Sequence, residues 1–186
     1  MVQLAKNLTL EKFLQLPETK PASEFINGQI IQKPMPQGKH STIQTRLSAA
    51  LNNILLPQQT AEAFTELRCT FGGRSIVPDI SVFTCDRIPV DANGEIANVF
   101  QAAPDWTIEI LSPDQNQTKV TRNILHCLKH ETEVGWLIDP DERGVLVYFR
   151  DRSDEFFEDP EAAISPPQFA ADLRLTIGDI FGWLVR

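Results

Sequence analysis

Trp106-Thr107-Ile108-Glu109-Ile110-Leu111 reads as a buried strand with a carboxylate at its centre. A second stretch, Ile76-Val77-Pro78-Asp79-Ile80-Ser81-Val82-Phe83, repeats the pattern around Asp79. A charge in the middle of a buried strand costs roughly several kcal/mol unless a partner or a metal compensates for it. Two such charges suggest a shared cation.

Working outward from the Glu109 strand, residues 118–132 read as a helix leading into Val134-Gly135-Trp136-Leu137-Ile138, with Trp136 in the core. The turn over 139–144 then returns the chain into Val145-Leu146-Val147-Tyr148-Phe149. Strand, helix, strand and hairpin partner together point to an α/β or α+β domain. Upstream, residues 63–71 alternate as one half-buried strand, and the turn Gly72-Gly73-Arg74-Ser75 pairs it antiparallel with the Asp79 segment. Residues 86–101 form a long polar excursion with an Asn93-Gly94 turn.

The N-terminal third begins with a short helix over 9–16 that ends at Pro17 and serves as a packing lid. In Glu24-Phe25-Ile26-Asn27-Gly28-Gln29-Ile30-Ile31, Asn-Gly supplies the two positive φ values of a tight hairpin turn and sets Glu24 near Ile31. Residues 33–39 read as a Pro-rich loop. Ser41 and Gln44 form a capping-box pattern for a helix starting near Ser41, with His40 at its N-terminus and Ile43, Leu47, Leu51, Ile54 and Leu55 as its apolar stripe. Toward the other end, residues 150–172 are acidic and Pro-containing, and a short closing helix carries Ile177, Ile180, Phe181 and Leu184.

The 186 residues, 42% hydrophobic and 23% charged, suit a single domain, 1–186. No run approaches the roughly 18 apolar residues of a membrane span, and residues 1–7 lack the basic start and apolar core of a secretory signal. The reading is a soluble, cytoplasmic protein without a membrane partner. Cys69, Cys85 and Cys127 show no CxxC spacing and read as ordinary thiols. A net charge of -8 argues against indiscriminate binding to nucleic acid. It is compatible with a nuclease whose carboxylates hold a divalent metal, because the ion reverses the local potential where phosphate arrives.

If the Asp79 and Glu109 strands are neighbours, their side chains project to one face about 5 Å apart. That spacing suits Mg²⁺ or Mn²⁺, hard cations held by few carboxylates plus water and phosphate. The other reading stays open: Asp79 ends a turn after Pro78, and Glu109 pairs with Arg68, Arg122 or Lys119. His40 is either a neutral hydrogen-bonding partner near the metal or a simple helix cap. Glu66 and Arg68 share a strand face and either pair with each other or line the cleft. Ser112 is placed to cap the turn after Glu109.

The series Glu24-x-x-x-Gly28, His40, Val77-Pro78-Asp79-Ile80, Ile108-Glu109-Ile110-Leu111-Ser112-Pro113 and Gly135-Trp136-Leu137-Ile138-Asp139-Pro140 resembles the Uma (Uma-two) family of bacterial restriction-endonuclease-like nucleases, over residues 8–184. The resemblance implies a PD-(D/E)xK nuclease: a restriction endonuclease-like mixed sheet with flanking helices and an N-terminal β-hairpin, cleaving DNA with Mg²⁺ or Mn²⁺. Asp79 and Glu109 then match the metal-binding acids, the carbonyl of Ile110 a further metal ligand, and Glu24 the N-terminal acid. The wider superfamily keeps lysine two positions after the second acid, and this chain has Leu111 there. Lys119 is the expected replacement and Arg122 the second candidate; a lysine and a tyrosine of related sequences fall at Asn123 and Cys127. Nucleases of this size also suggest a homodimer, with two clefts on two strands. Two other functions remain open from sequence: a catalytically silent scaffold or DNA-binding module, and a metal-dependent hydrolase of a small phosphate substrate.

Overall fold

A computed structural model describes residues 8–113 and 115–186. Residues 1–7, read above for a leader, and Asp114 lie outside the described residues. Helix α1 (Leu10–Leu14) is capped by Thr9, whose hydroxyl accepts from the Lys12 N–H. Its Phe13 stacks on Phe25 at 5.5 Å between ring centroids, as a lid would. Strands β1 (Ser23–Ile26) and β2 (Gln29–Gln32) form the expected hairpin, Glu24 facing Ile31. Asn27 and Gly28 take φ values of 52° and 79° to make the turn.

Helix α2 (Gly38–Gln58) buries Ile43, Leu47, Leu51 and Leu55. It begins three residues before the position read from the sequence, and no capping box forms at Ser41. Its N-cap is Gln37, without a side-chain hydrogen bond. Gln44 cannot reach back to a cap because its amide donates to Glu66 Oε1 at 3.0 Å and to the Asp79 carbonyl at 2.9 Å.

The strand read over 63–71 is two strands. β3 (Ala61–Thr65) pairs with β6 (Ile80–Thr84), while β4 (Cys69–Phe71) pairs with β5 (Arg74–Ile76), and one register runs through both halves of the hairpin. The ladder breaks between them. Pro78 has no N–H to give, and Glu66 adopts a φ of 51°. The two halves therefore enter different sheets, a four-stranded one ordered β2-β1-β5-β4 and a six-stranded one that starts at β3.

The larger sheet adds β7 (Trp106–Ile110), β8 (Val134–Asp139), β9 (Gly144–Phe149) and β10 (Glu155–Phe157), in the order β10-β9-β8-β7-β6-β3. β7 and β8 are parallel, joined through α3 (Gln117–Leu128); the neighbouring pairs are antiparallel. The sheet is thus mixed, as expected. The acidic segment 150–172 holds two unforeseen elements, β10, which zips onto the edge of β9, and a 3₁₀ turn at Gln168–Ala170. Helix α4 (Ile177–Gly182) closes the chain with a Thr176–Asp179 capping box.

Residue parity sorts the sheet's two faces. Ile80, Val82, Ile108, Ile110, Trp136 and Val147 pack with α2 and α4 in the main core. Leu111, Leu137 and Tyr148 pack with Val120, Ile124 and Leu128 of α3 on the other face. Trp106 and Trp136 meet edge to face at 4.7 Å, and the Trp136 indole donates to the Ser165 carbonyl. No helix of the described residues is long and apolar enough to cross a membrane. All three cysteines are free.

Gly135 shows how closely α3 lies on the sheet: a Cβ there would fall 2.2 Å from Ile124 Cγ2. Gly135→Ala should therefore lower stability by about 1–3 kcal/mol through overpacking. In that background Ile124→Ala should cost less than it does alone, a coupling that urea unfolding of the double-mutant cycle would measure.

Candidate active site

The pairing of Ile80 with Ile108, carried one residue back, sets Asp79 opposite Glu109 at the carboxyl end of β7. Both acids are buried, at 2% and 4% exposure. Their neighbours Ile80, Ile108 and Ile110 turn into the main core, so both carboxylates emerge on the α3 face. The Ile110 N–H donates to Asp79 Oδ2 at 2.7 Å, which joins the two strand ends. Adjacent strands thus bring the two sequence-predicted acids together.

Three further groups converge on Asp79. Lys33, just past β2, donates to Oδ1 at 2.6 Å, and His40 Nε2 lies 3.1 Å from Oδ2. Gln44 holds the Asp79 carbonyl. Burial opposes ionisation of Asp79, but the charge of Lys33 and the bond from His40 outweigh it and hold the carboxyl below its ordinary range. Burial likewise opposes the charge on Lys33, and Asp79, Glu109 and Glu66 overcome it, raising the Lys33 pKa.

Glu24 and Lys33 repair the break in the ladder. Glu24 Oε1 accepts from the Val77 N–H at 2.9 Å, and Lys33 Nζ donates to the Val77 carbonyl at 2.7 Å. Oε2 of Glu24 accepts from Asn123 at 3.2 Å. Desolvation raises the Glu24 pKa, partly offset by the Val77 N–H and Lys33. His40 is buried inside the first turn of α2; its Nδ1 has no partner among the described residues.

Glu109 differs from the other acids. Among the described residues nothing donates a hydrogen bond to it and no cation forms a salt bridge with it, so the pairings considered with Arg68, Arg122 and Lys119 do not form. Arg68 instead pairs with Glu18, and Glu66 with Lys33 and Gln44, so the pairing of Glu66 with Arg68 does not form either. Burial and the nearby charge of Asp79 push the Glu109 carboxyl well above its ordinary range. It opens onto a cavity also lined by Glu24, Lys33, Lys119 and Asn123. Arg122 is exposed and does not line that cavity. Cys127 is fully buried, in a small core with Cys69 and Phe83. Among the described residues the Ser112 side chain makes no capping bond; its N–H donates to Gln115 Oε1.

The family model Uma2, described as "Putative restriction endonuclease", matches residues 10–178. The chain belongs to the Uma2 family. A crystal structure of "a putative nuclease belonging to DUF820" from Anabaena variabilis ATCC 29413 superposes with a TM-score of 0.94, at 62% identity, covering 96% of this chain and 100% of that one. No curated protein matches.

In this Uma2 chain, no three His, Cys, Asp or Glu side chains among the described residues form a ready-made metal cage. Mg²⁺ does not need one, since it binds through one or two carboxylates and keeps its waters. A buried carboxylate without a donor, across from a second one and open to a cavity, fits that ion by charge and by hardness. Lys33 is the site residue that the sequence reading placed in a loop. The signal was present: Glu24 faces Ile31, and Lys33 lies two residues beyond Ile31 on the same hairpin face.

Glu24 offers a test of the packing. Glu24→Ala strands the buried Val77 N–H and should cost about 1–3 kcal/mol. Glu24→Gln should cost less, because its carbonyl can still accept from Val77 while its amide donates to the unpartnered Asn123 Oδ1 once that side chain turns. Thermal melts of the two variants give the comparison.

Proposed function

We propose that the chain is a metal-dependent nuclease that hydrolyses DNA phosphodiester bonds. The observation that carries this reading is Glu109, a buried carboxylate that receives no bond from the protein and faces Asp79 across adjacent strands. A buried carboxyl group pushed far from its ordinary range by burial and a like charge, and open to a cavity, is the mark of a functional site. Family membership supports phosphodiester hydrolysis as that function.

Asp79, Glu109 and the Ile110 carbonyl would hold Mg²⁺ or Mn²⁺. Such an ion, when bound, activates water and stabilises charge developing on phosphate. The chain's own residues fix the rest. Lys33, His40 and the Ile110 N–H hold Asp79 in one orientation, which limits the reorganisation needed as the reaction proceeds. Glu24 ties the Val77 backbone to Asn123 on the cavity wall. His40 donates to Asp79 through Nε2, and its Nδ1, without a partner among the described residues, is open to a water. Lys119, on the cavity wall, adds positive potential for an incoming phosphate in a chain of net charge -8. We further propose that it acts in the cytoplasm as a homodimer, with one cleft for each strand of a duplex.

Glu109→Gln separates function from folding. The substitution is isosteric and breaks no bond, so the urea midpoint of the metal-free protein should not fall. Plasmid cleavage, expected with Mg²⁺ or Mn²⁺ and absent in EDTA, should drop by at least about 100-fold, together with loss of the Mn²⁺ binding heat. Wild-type cleavage by this variant overturns the proposal.

A further inference from the structure

Leu111, two positions after Glu109, is committed to the apolar cluster on α3 with Val120, Ile124 and Tyr148. A lysine there would lie in hydrocarbon, so that position supplies no cation. Lys33 reaches the acids from the opposite direction. Its stem is buried, with the side chain 12% exposed, and its ammonium donates to Asp79 and to the Val77 carbonyl. An ammonium carries three protons. Among the described residues the third has no acceptor within hydrogen-bonding distance, Glu66 lying at 3.7 Å. Lys33 also lines two cavities at once, the one onto which Glu109 opens and a second that holds Asp79, His40 and Glu66. Lys119 lines only the first of these and bonds to neither acid.

We propose that Lys33, delivered by the N-terminal hairpin, is the catalytic cation of this site and binds the scissile phosphate through its uncommitted proton. The inference rests on the nuclease reading above and names the residue that this reading lacks. Hydrolysis adds water across one phosphorus–oxygen ester bond. The water oxygen bonds to phosphorus and releases a proton to solvent, while the ester oxygen departs with the bonding pair and takes a proton from solvent. Lys33 exchanges no proton; its positive charge opposes the negative charge that builds on the phosphoryl oxygens. Because two protein oxygens fix the ammonium, little reorganisation is needed at that moment.

The test compares Lys33→Gln, Lys33→Arg, Lys119→Met and Arg122→Met in single-turnover cleavage of supercoiled plasmid, alongside Mn²⁺ titration by calorimetry. Lys33→Gln should cut at least about 100-fold more slowly while binding Mn²⁺ within about threefold of wild type. Lys33→Arg, which keeps the charge, should retain at least about a tenth of the rate, and Arg122→Met should be unchanged. Moving the charge across the cavity in Lys33→Gln/Asn123→Lys should recover part of the loss. Wild-type cleavage by Lys33→Gln overturns the assignment, as does a collapse in Lys119→Met that Lys33→Gln does not share. Should Lys33→Gln fail to fold, Lys33→Arg decides: a fall beyond about 100-fold with Mn²⁺ binding intact rejects a role through charge. A wild-type protein that binds Mn²⁺ and cleaves nothing rejects the nuclease reading itself and the Lys33 assignment with it.

Discussion

Four parts of the chain supply donors to Asp79. The hairpin gives Lys33, α2 gives His40 to the carboxylate and Gln44 to the carbonyl, β7 gives the Ile110 N–H, and the residue after β3 gives the Glu66 N–H to the carbonyl. A carboxylate this deeply buried costs several kcal/mol to desolvate, so each donor is needed, and each is fixed by the need. The position of the hairpin against the six-stranded sheet, the starting point of α2 and the meeting of β6 with β7 are consequences of one charge. Glu109, a strand-width away, receives none of these donors.

The same residues serve backbone and chemistry together. Where the β3–β6 and β4–β5 ladder breaks, the Val77 peptide would be left with an unpaired N–H and C=O, and Glu24 and Lys33 take both. Beyond the break Asp79 keeps a backbone bond, its carbonyl accepting from the Glu66 N–H at 3.3 Å, while its carboxylate receives donors from three directions. Proline at position 78 and the left-handed backbone at Glu66 are therefore part of the site even though neither side chain enters the chemistry.

What was legible in the sequence was what local pattern determines. Asn27-Gly28 gave the hairpin and its register, the apolar runs gave β6, β7 and β8, and matching parity put Asp79 and Glu109 on one face provided that their strands were neighbours. What was not legible depended on distant partners. The alternation over 63–71 is intact in the sequence, and only the pairing of its two halves with different sheets reveals two strands. Ser41 and Gln44 have the spacing of a capping box, but Gln44 is claimed by Glu66 and Asp79, some distance away in sequence. Lys33 was hidden by the prolines that follow it, which suggested a loop where the hairpin face continues. Lys119 lines the expected cavity together with Asn123; Arg122 is exposed and does not, because a three-residue step leaves it about 60° round the helix from Lys119.

The interrupted hairpin divides the site between two bodies of unequal strength. Asp79 and Glu109 lie at the ends of central strands, whereas Glu24 and Lys33 ride on the outermost pair of the four-stranded sheet, with β2 at its edge. A single aligned pair, Phe25 with Ser75, links β1 to β5. Edge hairpins open more readily than central strands on the slow timescale of amide exchange. Each such opening would carry the ammonium and Glu24 away together and leave the acid pair in place. The chain would then be folded by most measures yet chemically incomplete, so heat should silence it some degrees before it melts.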